Sequence, residues 1–396
     1  MKIKTLPQPL QDALPVLQTL NQAGFQAYYV GGCVRDTILQ RPIHDVDLAT
    51  SAYPAEIKSL FAQTIDTGIQ HGTVTVVLNH ENYEVTTFRT ESGYQDYRRP
   101  DHVEFVRSLD MDLQRRDFTI NALALDATGE VHDLFGGLED LRRGQIRAVG
   151  QAEARFHEDA LRMMRAVRFQ AQFGFPIAEQ TLAGITQNAA LLTKIAVERI
   201  HVEFIKLMLA PYRKLGLDSF QATGLASYCP QFKGHDCRCL AGQSSQPLTS
   251  EAVVWTLIGY LWQLPPTQLR SLLRAWKTTN ETQKRVTRAV TLLQLNTWRD
   301  WDLYQAGTKS SQLAQEVLLV TGKSNWAQEL QERQEHLPIY CSQDLALGGQ
   351  AIMEILHLAP GPEVGRLLEE LQQAVVARKI PNQVIALTQF LQQKRN

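Results

Sequence analysis

The sequence predicts an α+β N-terminal head, a mixed sheet with helices, followed by an elongated all-α remainder. Three observations carry this prediction. Residues 28–50, YYVGGCVRDTILQRPIHDVDLAT, read as strand, glycine turn, helix and second strand. Residues 72–78 and 82–88 are two β-rich runs joined by a short polar turn, the signature of a hairpin. From Arg155 onward strand patterns cease, and helical segments follow one another through short loops. A chain of 396 residues is too long for one compact core, so two or more domains are expected.

A short leading helix covers about residues 9–23. Tyr28, Tyr29 and Val30 favour a strand. Gly31 and Gly32 then let the backbone turn sharply and approach a ligand with no Cβ in the way. The helix from Val34 to Gln40 puts Arg35 at its start, beside amides that favour anions. The second strand carries Asp45 and Asp47. Side chains in a strand repeat every two residues, so both carboxylates leave the sheet on one face. Two adjacent carboxylates repel unless a cation sits between them, and such hard oxygen ligands suit Mg2+. A lone GG turn is usually a plain turn, and a lone DxD is little better. Both together in one strand-turn-helix-strand unit point to phosphoryl or nucleotidyl transfer.

Pro54 to Gln63 reads as a helix with proline in its first turn. Glu84, on the second strand of the hairpin, either faces the metal site as a third carboxylate or faces solvent. Residues 89–107, RTESGYQDYRRPDHVEFVR, are polar and aromatic with Gly93 and Pro100, and read as a long mobile connection of the lid type. In QRRDFTINALALD (114–126), Arg115 and Arg116 precede a helical start at Asp117, and an apolar strand-like run resumes at Ala122. HDLFGGLEDLRRGQIRAVG (132–150) carries another GG turn and closes the head. Helices are then predicted over 157–172, 178–191, 197–209, 250–262, 266–276, 281–295, 311–320, 343–356, 362–377 and 381–393. Residues 237–249 read as a loop between two helical parts.

Net charge is −1, which argues against a general polyanion binder. Distribution matters more. Between Leu141 and Gln170 stand Arg142, Arg143, Arg147, Arg155, Arg162, Arg165 and Arg168, against Glu153, Glu158 and Asp159. That local excess reads as a phosphate-binding wall, and arginine without lysine favours fixed, forked contacts. No apolar run reaches membrane-spanning length, and MKIKTLPQPL lacks a signal-peptide core. Five scattered cysteines form no disulfide framework, so a reducing, cytoplasmic setting is expected. Cys229, His235, Cys237 and Cys239 crowd together but lack the paired spacing of zinc sites. Gly322-Lys323-Ser324 lacks the earlier glycine of a P-loop. Trp255, Trp262 and Trp276 have helical spacing and read as core.

GGxVRD followed by DxDLAT resembles the first motif of the nucleotidyltransferases that add CCA to tRNA, and of the related bacterial poly(A) polymerases. QRRDFTINALALD and HDLFGGLEDLRRGQIRAVG resemble the second and third motifs. FHEDALRMMRAVRFQAQFGF resembles the nucleotide-selecting fourth motif of the eubacterial and eukaryotic class, and ERIHVEFIKLML the fifth. The segment GGQAIMEILHLAPGPEVGRLLEELQQAVVARKIPNQ is similar to the tail that grips the tRNA elbow, which favours a tRNA enzyme over a poly(A) polymerase.

The resemblance implies a catalytic head over 1–140, a neck with the nucleotide-selecting helix over 141–210, a body over 211–300 and a tRNA-binding tail over 301–396. It implies template-independent, Mg2+-dependent building or repair of the tRNA 3′-CCA end from CTP and ATP, releasing pyrophosphate. No protein partner is implied. Asp45 and Asp47 would hold Mg2+. Gly31, Gly32 and Arg35 would hold the triphosphate, with Arg116 on the nucleotide and Asp117 capping its helix. Asp159 and Arg162, three residues apart on one helix, would read the base, with Arg165 and Arg168 following at the same step. An isolated pair at that spacing would be an ordinary ion pair worth tenths of a kcal/mol. The long DYRRPDHV connection argues against a CC-only enzyme. It leaves open an A-adding enzyme, a poly(A) polymerase, and an inactive RNA-binding protein on the same fold.

Overall fold

The computed structural model describes residues 1–95, 99–242, 246–295 and 297–393. The chain divides into two compact units, Met1–Arg238 and Cys239–Asn396.

The first unit holds a seven-stranded mixed sheet. Its strands are β1 (Ala27–Val30), β2 (Asp47–Thr50), β3 (Thr64–Gly68), β4 (Thr73–Leu78), β5 (Glu81–Thr87), β8 (Leu123–Leu125) and β9 (Val131–Asp133). They lie in the order β3-β4-β5-β2-β1-β8-β9. β4 and β5 form the expected hairpin, and both turn residues, Asn79 and His80, take positive φ (51° and 67°). That geometry matches the right-handed twist of the flanking strands. Among the described strands of this sheet the one parallel pairing is β2 with β5, and it sets Asp47 directly opposite Glu84. Asp45 lies just before β2, not within it.

Residues 89–107 are not an irregular connection. They form a separate antiparallel ribbon, β6 (Arg89–Gln95) against β7 (Arg99–Phe105). Pro100 pairs with Tyr94 in this ribbon, and a two-stranded ladder with both outer edges free tolerates a proline. The DYRRPDHV stretch lies partly outside the described residues.

Ten helices of this unit are α1 (Gln8–Gln22), α2 (Gly32–Ile38), α3 (Pro54–Leu60), α4 (Leu109–Gln114), α5 (Gly137–Arg143), α6 (Ala152–Glu158), α7 (Leu161–Phe173), α8 (Glu179–Asn188), α9 (Val197–Leu209) and α10 (Arg213–Ala222). α1 buries Leu10, Ala13, Val16, Leu17 and Leu20 at the i, i+3, i+4 spacing of an amphipathic helix. Each of its buried leucines stabilises the fold by roughly 1.5–3 kcal/mol. The Tyr29 hydroxyl donates to the Leu10 carbonyl (2.6 Å), tying α1 to β1. On the sheet, Val30, Ala49 and Ala124 join Phe88, Leu109 and Leu113 in a buried cluster that seats α4.

The helix expected over 157–172 is two helices. α6 ends at Glu158, Asp159 takes an extended backbone (φ −139°, ψ 102°), and α7 starts at Leu161. α10 was not expected. It approaches α7 through Gly216, where a Cβ would come within 2.7 Å of the Val167 carbonyl oxygen.

The second unit is helical, with helices that include Glu251–Leu261, Pro266–Ala275, Asn280–Leu293, Thr308–Val320, Gly349–Leu356, Pro362–Val376 and Val384–Gln393. Asp300–Ala306 and Ser324–Glu335 are further helices beyond those expected. Trp255 and Trp276 are fully buried with ring centroids 5.2 Å apart, whereas Trp262 is half-buried. Among the described residues no helix is long and apolar enough to cross a membrane.

Candidate active site

At the end of β1 the chain reaches Gly31, whose φ of 73° and ψ of −127° are open only to glycine at low cost. A Cβ there would meet Arg116 Nη1 at 3.0 Å. The two neighbouring glycines therefore differ. Gly32 opens α2, and a Cβ on it would make only an ordinary 3.6 Å contact with Arg35 Nη2. Arg116 is held over the turn by Asp112 (3.1 Å). Burial alone would raise the Asp112 carboxyl, but Arg115 and Arg116 outweigh it and hold the pKa below the usual range.

This turn, the start of β2 and the polar face of α7 enclose a cleft of about 810 Å3. Ten of the residues expected at the site line it: Gly31, Gly32, Arg35, Asp45, Asp47, Arg116, Asp159, Arg162, Arg165 and Arg168. Glu84 is not among the lining residues, but its register opposite Asp47 brings it to the same face of the sheet. Asp47 is open to solvent, yet its pKa is raised. The protein wall around it contributes most, and the carboxylates of Glu84 and Asp45 add to the rise, while Arg116 opposes it. Mutual repulsion of this kind is what a divalent cation relieves, and the donors are hard oxygens. The set fits Mg2+. Among the described residues no group of three His, Cys, Asp or Glu side chains converges as a complete metal site. A Mg2+ here would therefore draw the rest of its shell from water and substrate phosphate.

Beneath the turn, Cys33 is buried and donates to the Val30 carbonyl (3.3 Å). Burial pushes its thiol up to about 12, so it is inert packing. Cys229 and Cys237 are buried and Cys239 exposed, none of them in a disulfide. They belong to no metal-holding group among the described residues.

Arg35 lies fourth in α2, not at its start, and it is largely committed. It forms a two-bond pair with Asp36 (3.0 and 2.8 Å) and donates Nη1 to Asn121 Oδ1 (2.6 Å). Its guanidinium also lies 4.7 Å from the Phe173 ring centroid. Asp117 does not cap a helix. Its Oδ1 accepts from the Phe118 amide and from Asn121, bracing a 3-10 turn over Thr119–Asn121, and its Oδ2 accepts from Arg165 Nε (2.7 Å). Burial works against the Asp117 charge, but Arg165 and the hydrogen bond from Asn121 outweigh it and hold the pKa down to about 2.

Asp159 and Arg162 share the cleft but not one helix, and they do not pair. Asp159 takes Arg199 of α9 (2.8 Å), and its Oδ1 accepts from the Leu161 amide at the start of α7. Arg162, 8 % exposed, donates to Glu158 (2.6 Å) and to the Arg115 carbonyl (2.7 Å). Arg168 pairs with buried Glu203 and donates to Gln172 (2.9 Å). Burial lowers the Arg168 pKa despite Glu203. The wider arginine wall is narrower than its sequence count. Arg142 and Arg143 pair with Glu139, Arg147 with Asp140, and Arg155 with Glu158, so only Arg162, Arg165 and Arg168 of that run line the cleft.

Sequence reasoning missed Arg199, Glu203 and Lys206. Their signal is a polar stripe at i, i+4 and i+7 on the apolar helix ERIHVEFIKLML. Altogether the cleft is lined by seven arginines and one lysine against five aspartates. That balance suits a polyphosphate.

Three family descriptions match in succession. Residues 27–147 match the "Poly A polymerase head domain", 174–234 the "Probable RNA and SrmB- binding site of polymerase A", and 246–391 "tRNA nucleotidyltransferase domain 2 putative". A CCA-adding enzyme of Enterococcus faecalis is 46% identical over 401 residues, covering 100% of this chain and 99% of that protein. One of Latilactobacillus sakei is 50% identical, with 98% and 99% covered. The crystal structure of the Bacillus stearothermophilus CCA-adding enzyme in complex with CTP superposes with a TM-score of 0.89 at 39% identity, covering 98% of each chain. The Thermotoga maritima CCA-adding enzyme complexed with tRNA shares the fold at 16% identity, with a TM-score of 0.66, 99% of this chain and 97% of that one covered.

Proposed function

The chain belongs to the CCA-adding tRNA nucleotidyltransferases, and from that premise we propose that it builds or repairs the complete 3′-CCA of tRNA from CTP and ATP with Mg2+. The observation that carries this reading is the single cleft that holds two carboxylates and a glycine turn together with Asp159 and Arg162. The full-length similarity to proteins named CCA-adding enzymes favours the complete task over terminal-A addition alone.

The RNA 3′-hydroxyl attacks the nucleotide's α-phosphorus, and pyrophosphate leaves. Asp45 and Asp47, with Glu84 beside them, would hold Mg2+, which when bound neutralises phosphate charge and acidifies the attacking hydroxyl. The turn at Gly31 and Gly32 admits the triphosphate closely, and Arg116 stands ready for its charge. Arg35, already bound to Asp36 and Asn121, steadies the turn instead of contributing a free cation.

Base choice follows from hydrogen-bond sign. An ionised carboxylate only accepts and a guanidinium only donates. Cytosine and adenine both offer an amine beside a ring-nitrogen acceptor, which match Asp159 and Arg162. Guanine and uracil offer a keto oxygen and a ring N–H, which mispair with both groups. Each mispairing in a largely buried site costs about 1–3 kcal/mol, so rejection by roughly two to four decades is expected. The test is kcat/KM for all four NTPs on tRNA lacking CCA. Arg162→Ala and Asp159→Ala should lose discrimination more than turnover. Equal slowing of CTP and UTP would overturn the base-reading role.

A further inference from the structure

Asn121 is a buried polar side chain, 6 % exposed, that the chemistry above does not use. Its two amide ends have opposite partners. Oδ1 accepts from Arg35 Nη1 (2.6 Å), and Nδ2 donates to Asp117 Oδ1 (3.1 Å). On one side, Arg35 belongs to α2 and follows the glycine turn directly. On the other, Asp117 Oδ2 receives Arg165 of α7 (2.7 Å). A continuous polar chain therefore runs from the triphosphate turn to the base-selecting helix.

We infer that Asn121 is a positioning residue for nucleotide selection, joining the turn that takes the triphosphate to the helix that reads the base. The inference rests on the base-reading role of Asp159 and Arg162 given above. Its logic is one of sign. Arg35 can only donate and ionised Asp117 can only accept, so the link between them must do both. A primary amide does so in one fixed orientation. The Phe169 and Phe173 rings add an apolar clasp on the same route, with Arg35 5.4 Å from the first centroid and 4.7 Å from the second. Arg162 is tied to the same backbone segment, since it donates to the Arg115 carbonyl two residues before Asp117. Loss of the amide removes the Asn121 bond on Asp117 and the acceptor for Arg35. The segment to which Arg165 and Arg162 are both tied then loosens, and the edge that Asp159 and Arg162 present to the base loses its fixed spacing.

Two substitutions test the idea. Asn121→Leu removes both bonds at similar volume. Asn121→Asp keeps the acceptor for Arg35 but sets a carboxylate against Asp117. The groups facing this position are Arg35 and Asp117 directly, Arg165 and Arg162 beyond Asp117, and Asp36 beyond Arg35. Protonation of the new carboxyl group recreates a donor toward Asp117 and an acceptor toward Arg35, as the amide has. A carboxyl buried against the Asp117 carboxylate is protonated more readily than a free one, an effect that Arg35 on its other side reduces.

The measurement is the CTP:UTP ratio of kcat/KM on tRNA lacking CCA, from about pH 9 to about pH 6, with Arg162→Ala run alongside. The expected result is a ratio at least tenfold below wild type for Asn121→Leu at every pH. For Asn121→Asp the ratio should recover as pH falls, while that of the wild type stays flat. A structural defect alone would lower turnover without restoring selectivity on acidification. The inference is overturned if both Asn121 variants keep the wild-type ratio while Arg162→Ala loses it. If Arg162→Ala also keeps the ratio, it is the base-reading role itself that fails.

Discussion

Replacing each glycine of the Gly31-Gly32 pair by alanine should give opposite outcomes, although the two look equivalent in sequence. At Gly31 the backbone angles of 73° and −127° lie where a Cβ-bearing residue costs about 1–3 kcal/mol. The new methyl would also stand 3.0 Å from Arg116 Nη1. That end is flexible, so it shifts away from the turn instead of blocking folding. For a folding unit of this size 1 kcal/mol moves Tm by about 2–4 °C, so Gly31→Ala should lower it by about 4–8 °C at the middle of that range. Displaced Arg116 should cut kcat/KM for CTP and ATP by the same factor, about 10–100-fold. Gly32 begins α2 with only a 3.6 Å contact waiting. There alanine gains up to about 1 kcal/mol of helix preference, so Tm should hold or rise slightly. Any lost turnover in Gly32→Ala then reports directly on how closely the triphosphate approaches. Thermal unfolding and single-nucleotide incorporation on both variants decide it. A Gly31→Ala protein with wild-type Tm and turnover, or a Gly32→Ala protein that is the less stable of the two, refutes the reasoning.

Asp45→Ala and Asp47→Ala should each abolish C and A addition while leaving tRNA affinity nearly unchanged, as gel-shift titration would show; more than a few per cent of residual turnover speaks against the metal role. Glu84→Gln should raise the Mg2+ concentration for half-maximal rate by about tenfold, and an unchanged requirement makes Glu84 a surface residue. Trimming the ribbon beyond the Thr90–Glu104 pair should spare CC addition and selectively lose A addition, and equal loss of both would leave the ribbon a purely structural part. Asp117 has a folded pKa of about 2, below the usual carboxylate value, so its contribution to stability is present above about pH 4 and is lost as pH falls toward 2. Asp117→Asn should therefore flatten the acid limb of a Tm-against-pH curve, and an unchanged acid limb would show that the carboxylate adds nothing there.

Much of the head was legible because its signals are local. The glycine turn and the β4–β5 hairpin each rest on residues within one short window, and the structure has them as expected, while of the DxD pair only Asp47 lies on β2 and Asp45 precedes it. What failed was set by distant partners. Nothing between His157 and Leu161 marks a helix end, since no Gly or Pro stands there. The break at Asp159 rests on its Oδ1 accepting from the Leu161 amide and on Arg199, forty residues later, holding its carboxylate. The ribbon was hidden by Gly93 and Pro100, which lower strand propensity, whereas pairing between its two arms decides the matter. α10 was hidden because Gly216 reads as a helix breaker, though it serves close approach to α7. In one case the signal was available. Glu139 lies three and four residues before Arg142 and Arg143, the spacing of intrahelical pairs, and it withdraws both arginines from the supposed wall.

The pairing of Asp159 with Arg199, and of Arg162 with Glu158 and the Arg115 carbonyl, has a kinetic consequence. The two groups proposed to read the base are never idle. An incoming base must trade bonds with partners already in hand, so even a correct match gains little net affinity and a wrong one cannot replace what it displaces. A site built on exchange holds its nucleotide loosely and empties readily. On the proposed reading, in which one cleft serves three successive additions and switches base before the last, that readiness to let go matters as much as discrimination.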